Sequence, residues 1–216
     1  AAIVPVRSGS KGLVGKNLKP LAGIPLWERA VAHGLDAGAG VLVTTDSAEV
    51  LKQGKRDRVA FLDRPVELAA DDAPMGPVIL HALEQIEGPA RIVLLQPTSP
   101  LRAREDVEDS IALHATGRFD LVKTVTATDA GILKYGTMDD GQFIPVSDPA
   151  YCFTNRQDLP PVMKPNGAVY VFDRDWFLAN GGFATDRIGG VVMPAERSFD
   201  IDTEADFLRA EALIKG

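Results

Sequence analysis

Short apolar runs alternate along this chain with longer stretches in which apolar residues recur every three or four positions. Ala2 to Val6 is an apolar run that ends in the glycine-rich stretch Ser8-Gly9-Ser10-Lys11-Gly12. Pro25 to Ala37 carries Leu26, Ala30, Val31 and Leu35 at spacings that share one helix face. Val41 to Thr45 is a β-branched run closed by Asp46, and Arg91 to Leu95 reads as a strand buried on both faces. Helical spacing returns at Val78 to Ile86 and Glu105 to Ala115, and a strand at Leu121 to Val125. Ala168 to Phe172 and Ser198 to Asp202 read as later strands, and Thr203 to Ile214 as a closing helix. Apolar strands separated by helices predict an α/β fold of three layers, a mostly parallel twisted sheet flanked by helices.

The alternation breaks from Ala127 to Asn166. Asp140-Gly141 between Leu133-Lys134-Tyr135 and Gln142-Phe143-Ile144 is a hairpin signal. The residues after it, with Pro149, Pro160, Pro161 and Pro165, are too rich in proline for a central strand or helix. This excursion, 127–166, is expected to leave the sheet as an arm that packs on a second subunit. Residues 1–216 are otherwise expected to form one domain, without internal repeats.

Composition narrows the class. Of 216 residues, 45% are apolar and 25% charged, which argues against disorder. One cysteine excludes an intrachain disulfide framework and a Cys-based zinc site, and points to a reducing, cytoplasmic setting. No apolar run approaches the ~20 residues of a membrane span, and the opening residues lack the order of a secretory signal. A net charge of -7 disfavours a general nucleic-acid binder.

That charge is unevenly placed. Ala1 to Trp27 holds Arg7, Lys11, Lys16 and Lys19 but no acidic residue. Charge alone leaves an anion site and a solvated basic edge equally open. Ligands of parallel α/β sheets gather at the carboxyl ends of the strands. Arg7 with the glycine-rich loop, Asp46, and Gln96-Pro97-Thr98-Ser99 each follow an expected strand. Glycines let successive backbone N–H groups turn onto a phosphate, while Arg7, Lys11 and Lys16 neutralise it. A P-loop does not fit, because its first glycine falls on Ser10 and Asn17 replaces Ser/Thr; the dinucleotide spacing fails too. Phosphate binding fits the loop better than a plain turn.

A second signal is Asp200-Ile201-Asp202. Two residues apart on a strand, both carboxylates could reach one hard cation, and a magnesium ion there would bridge phosphate oxygens. The alternative for Asp202 is a cap on the helix that follows. Other side chains carry less. His33, His81 and His114 share no metal spacing, Cys152 has no neighbouring Cys or His, and Trp176-Phe177 reads as helix packing. For Phe183, closure over a ligand and core packing stay equally open.

Taken together, Arg7-Ser8-Gly9-Ser10-Lys11-Gly12-Leu13 with Gly15-Lys16-Asn17 resembles the nucleotide-binding opening of the acylneuraminate cytidylyltransferases, or CMP-sialic acid synthetases. Leu94 to Arg102, Pro165 to Tyr170 and Ser198 to Glu204 match that family's later blocks in the same order. The related 3-deoxy-manno-octulosonate enzymes typically have Thr-Arg where this chain has Lys11-Gly12, and Pro where it has Asn17. The nonulosonate branch is therefore favoured.

The resemblance implies a fold like that of nucleotide-diphospho-sugar transferases. It also implies Mg²⁺-dependent transfer of CMP from CTP to the anomeric hydroxyl of a sialic-acid-like nonulosonate, with release of pyrophosphate. Arg7, Ser10, Lys11, Lys16 and Asn17 would then hold the CTP phosphates, with Lys16 stabilising charge in the transition state. Asp200 and Asp202 would hold the metal, Asp202 the more direct ligand, and Asp46 would either contribute nearby or cap the helix after Ser47. Gln96, Thr98, Ser99, Asn166 and Tyr170 would line the sugar pocket. Lys134 and Arg156 would reach a site from the excursion, which in the family mediates dimerisation, so a homodimer is implied. Where the family commonly has small hydroxyl residues after Glu67-Leu68-Ala69, this chain has Asp71-Asp72-Ala73-Pro74-Met75, and Val14 replaces the usual proline before Gly15. Two other classes share parts of this pattern: a metal-dependent nucleotide-sugar glycosyltransferase, and a module that senses CTP without chemistry.

Overall fold

The apolar run at the head of the chain becomes β1 (Ala2–Val6), an interior strand of a seven-stranded sheet, buried along its whole length. The computed structural model describes residues 1–9, 12–70 and 72–215. Ser10 and Lys11, two of the expected phosphate ligands, lie outside the described residues.

After β1 come a two-residue hairpin, β2 (Pro20–Leu21) and β3 (Ile24–Pro25), then α1 (Leu26–Asp36), β4 (Val41–Thr45), α2 (Ala48–Leu51) and β5 (Val59–Asp63). The chain then passes through α3 (Met75–Leu83), β6 (Arg91–Leu95), α4 (Arg104–Ala115) and β7 (Leu121–Thr128). A hairpin of β8 (Gly136–Asp139) and β9 (Gln142–Pro145) precedes β10 (Val162–Asp173), α5 (Arg174–Asn180), β11 (Ile188–Val192) and α6 (Glu204–Lys215). The strand order is β11-β7-β10-β6-β1-β4-β5, parallel except for β10, which runs antiparallel to β6 and β7.

Strand alternation divides the core between two faces. Ala2, Val4 and Val6 of β1 pack with Trp27, Ala30 and Val31 of α1 and Val107 of α4. Ile3, between them in sequence, faces Ile79, Ala82 and Leu83 of α3 and Phe177 of α5. Helices therefore cover both faces, as a three-layer fold requires. A smaller cluster of Leu21, Leu26, Ile201, Phe207 and Ala210 seats α6 against the opening segment.

Three expectations need correction. Ser198 to Asp202 is not a strand. Its Ile201 N–H pairs with the Thr98 carbonyl at 2.8 Å, but the N–H groups of Asp202 and Thr203 turn to the Asp206 carboxylate. The excursion is shorter than 127–166, because β7 runs to Thr128 and β10 starts at Val162. Pro165 thus lies within an interior strand, tolerated where the β10–β7 register shifts before Tyr170. Finally, the hairpin's first strand is Gly136–Asp139 rather than Leu133 to Tyr135.

A buried arginine ties this frame together. Arg102 donates to the carbonyls of Gln96 and Ala168, and through Nε to His33 Nδ1 at 3.1 Å. Burial lowers its pKa to about 9, leaving it charged at neutral pH. Burial, then Arg102 and Arg29, press His33 down to about 3. An unfolded chain takes up that proton near 6.5, and the native one does not until about 3. His33 therefore costs stability progressively as pH falls from about 6.5 towards 3. His33→Asn, which cannot take the proton, should flatten the fall in melting temperature between pH 6.5 and 4; an unchanged slope would remove His33 from the acid limb.

Candidate functional site

The strand order reverses beside β1, since the chain moves outward through β4 and β5 and then returns to β6 on the other side. Such switch points open a crevice at the carboxyl ends of the strands. Here the crevice holds a cavity of about 270 Å³, with Arg7 after β1, Arg64 after β5, and Gln96 and Thr98 after β6. Lys16 and Asn17 enter from the opening loop, and Asp200 and Asp202 from the segment before α6.

The two ends of the chain meet within this cavity. Lys16 Nζ donates to Asp202 Oδ1 at 2.9 Å and to the Ile201 carbonyl at 2.7 Å. Nearby, Lys19 donates to both carboxylate oxygens of Glu204 and stands 4.4 Å from the Phe207 ring centroid. The Ala22 N–H donates to Glu211. Gly12 lies so close to this junction that a Cβ there would sit 2.3 Å from the Asp202 carbonyl oxygen.

Asp202 is not the helix cap. Thr203 takes that place, with Asp206 accepting from the Thr203 N–H and hydroxyl and Thr203 Oγ1 accepting from the Asp206 N–H. The Asp202 side chain is left 71% exposed in the cavity. Asp200, exposed as a residue, has a carboxyl pushed above the usual range by desolvation, against a hydrogen bond from Thr98; Asp202 raises it further and Lys16 opposes. Asn17 is buried, donates to the Arg7 carbonyl at 3.1 Å, and keeps an acceptor oxygen without a partner among the described residues. An open acceptor in a cavity wall is a place for a ligand donor.

Asp46 does not cap the helix after Ser47; Ser47 does so through its own hydroxyl. Asp46 instead accepts from the Ser8 N–H at 2.8 Å and from the Ser8 hydroxyl, fixing the start of the glycine-rich loop. Arg64 escaped the sequence reading. It is buried, donates to Thr44, and has its pKa brought down to about 10 by desolvation, with Asp46 opposing and Arg7 adding. The signal was weak because β5, which delivers it, is a short edge strand. Ala70, Ala73 and Met75 complete the wall.

A second cavity of about 630 Å³ adjoins the first, the two sharing Gln96 and Asp200. Asn166 and Tyr170 line it. The Asn166 amide is fully engaged: its oxygen accepts from Thr124 Oγ1 and the Ala168 N–H, and its nitrogen donates to Ser198 Oγ and Met193 Sδ. Desolvation, with Asp200, raises the Tyr170 hydroxyl. Phe183 packs against the rings of Tyr170, Phe172 and Phe177.

Three expected sugar-pocket residues are placed elsewhere. Ser99 is 1% exposed and lines neither cavity, because its N–H turns back to the Gln96 carbonyl and carries the side chain inward. Lys134 and Arg156 stay on the excursion, and Arg156 pairs with Asp129 at 2.9 Å. Among the described residues no three His, Cys, Asp or Glu cluster to hold a metal, and no helix is long and apolar enough to cross a membrane.

Comparison with known proteins follows the same lines. A family model described as cytidylyltransferase matches residues 1–138. The N-acylneuraminate cytidylyltransferase of Streptococcus agalactiae serotype V is 31% identical over 95% of this chain and 51% of its own length. The chain thus spans about half of that relative. The CMP-N,N'-diacetyllegionaminic acid synthase of Legionella pneumophila is 28% identical over 99% of this chain and 95% of its own. Among solved structures, CMP:2-keto-3-deoxy-manno-octonic acid synthetase complexed with CTP superposes with a TM-score of 0.72 at 18% identity, covering 99% of this chain and 97% of that one. This likeness carries the fold, a mostly parallel sheet between helices.

Proposed function

Since the chain belongs to the cytidylyltransferase family, we propose that it transfers CMP from CTP to the anomeric hydroxyl of a sialic-acid-like nonulosonate, releasing pyrophosphate. The observation that carries this reading is the pair of adjoining cavities, with Lys16 and Asp202 joined in the wall of the first and Gln96 and Asp200 common to both. One cavity can hold a triphosphate while the other presents an acceptor to it. The S. agalactiae and L. pneumophila relatives are named for reactions of this class.

On this reading Arg7 and Lys16 hold the triphosphate, with Ser10 and Lys11 of the same loop, while the open Asn17 oxygen accepts from a donor group of the nucleotide rather than from its phosphates. The acceptor hydroxyl attacks the α-phosphorus, the bond to the β-phosphate oxygen breaks, and Lys16 meets the charge that develops. Gln96 and Tyr170 orient the sugar acid, and Thr98, which lines the first cavity alone, holds Asp200 between the two.

The donor set suits a magnesium ion. Mg²⁺ is commonly held by one or two carboxylates together with substrate phosphates, and Asp200 and Asp202 line one cavity without a third acidic ligand. Bound there, Mg²⁺ would neutralise phosphate charge. Desolvation of Asp200 leaves a carboxylate that gains from a cation beside it. The Lys16–Asp202 pair is exposed on its acidic side, so opening it costs little. Lys16 can then turn from Asp202 to phosphate. Asp202→Asn should lower turnover about 10²-fold and raise the Mg²⁺ needed for half-activity, with the melting temperature unchanged. A lower melting temperature with normal Mg²⁺ dependence would make Asp202 structural.

The excursion supports a homodimer. Tyr135, Met138, Phe143, Val146 and Phe153 are exposed there, Phe153 to 93%, an apolar concentration that monomers seldom leave in water. Light scattering should give twice the 23.1 kDa of one chain, and Phe153→Ser should weaken the association; a monomer at assay concentration would sink the dimer. In a dimer, Lys134 and Arg156 could serve the neighbouring site. A cytoplasmic setting fits the single, half-buried Cys152. The deciding experiment offers CTP, Mg²⁺ and a panel of nonulosonates and seeks CMP-sugar by mass spectrometry alongside pyrophosphate; absence of both products from every acid would overturn the reading.

A further inference from the structure

The second cavity contains two cations that the sequence did not single out. Lys164 of β10 and Arg209 of α6 line it together with Gln96, Tyr170 and Asp200. Among the described residues neither cation's side chain enters a hydrogen bond or ion pair. Arg209 instead lies with its guanidinium carbon 5.0 Å from the Phe199 ring centroid. Stacking of this kind holds the planar group in place while leaving its N–H fork for a ligand. Asp206, one turn earlier on the same helix, is itself committed to Thr203.

The cavity's charge therefore has a direction. Two uncommitted cations line this cavity with one carboxylate, Asp200. Asn166 cannot readily offer its amide, since both ends are bonded within the protein. A carboxylate entering this space finds its planar, bidentate partner in Arg209.

We infer that Arg209 is a specificity-determining residue that receives the carboxylate of the sugar-acid acceptor in the second cavity. This rests on the cytidylyltransfer reading above and adds a residue to it. Because α6 also carries the Asp206 cap that positions Asp202, the helix that seats the carboxylate pair would also read the acceptor.

The test is steady-state kinetics on the full chain, with N-acetylneuraminate and its methyl ester as probes. Arg209→Gln should raise KM for the acid about tenfold or more, leaving kcat and KM for CTP unchanged, and Arg209→Lys should recover part of the loss. The methyl ester, which has no charge for the guanidinium to meet, should be used equally by wild type and Arg209→Gln. An unchanged KM for the acid, an equal loss with the ester, or a parallel rise in KM for CTP would overturn the assignment. CMP-sugar formation by the wild type separates the two levels: a wild type that turns over, with an indifferent Arg209→Gln, sinks this inference alone. A wild type that makes no CMP-sugar from any nonulosonate sinks both.

Discussion

Gly12→Ala is expected to remove at least 99% of turnover while the protein stays folded. Its added Cβ would lie 2.3 Å from the Asp202 carbonyl oxygen and 3.3 Å from its carbon. The obstacle is backbone, and that backbone cannot step aside cheaply. The Ile201 N–H is held by the Thr98 carbonyl, the Ile201 carbonyl by Lys16 Nζ, and the Asp202 N–H by Asp206. Relief must come from moving the opening loop away from the segment before α6. Overpacking of this kind costs about 1–3 kcal/mol of stability, which a core of this size can absorb. Activity is less forgiving, because a shift of about 1 Å between reacting groups can cost 10²-fold. Near-normal kcat, with a melting temperature lowered by only a few degrees, would show that the close approach of loop and tail is dispensable.

Lys16→Met should be the most damaging exchange of a single charge. The side chain is 12% exposed, and its ammonium bridges the Ile201 carbonyl and Asp202. Methionine keeps the stem's packing and deletes the charge. Loss of one well-placed group that meets developing charge costs about 10²–10³ in kcat. CTP affinity should fall much less, since Arg7 still lines the cavity and ground-state binding is shared. Calorimetric titration of CTP beside single-turnover rates separates the two quantities. An unchanged turnover number would take Lys16 out of the mechanism, whatever happened to affinity.

Most of the layered frame was legible in the pattern of apolar residues, and its omissions share a cause. Strands Val41–Thr45 and Arg91–Leu95 match their expected bounds because a strand covered on both faces must be apolar throughout. The two strands of the seven-stranded sheet that the pattern does not mark, Val59–Asp63 and Ile188–Val192, are its outermost. There the selection for apolar residues relaxes, and Gly189 even replaces a side chain because Phe119 occupies its place. With β5 unseen, Arg64 went unseen as well. Pro165 misled in the opposite direction, since proline's missing N–H matters little where the register already breaks.

The sequence by itself determined the alternation of strands and helices, and the concentration of cations in its first 27 residues and of carboxylates near its end. Whether those groups meet was beyond it, because Lys16 and Asp202 are separated by 186 positions and periodicity carries no information over that distance. The folded chain decided it by seating α6 on Leu21 and Leu26. Tertiary packing also turned Asn166 inward, where burial obliges its amide to bond with the protein, and set Arg209 at the second cavity, where no local pattern marks it.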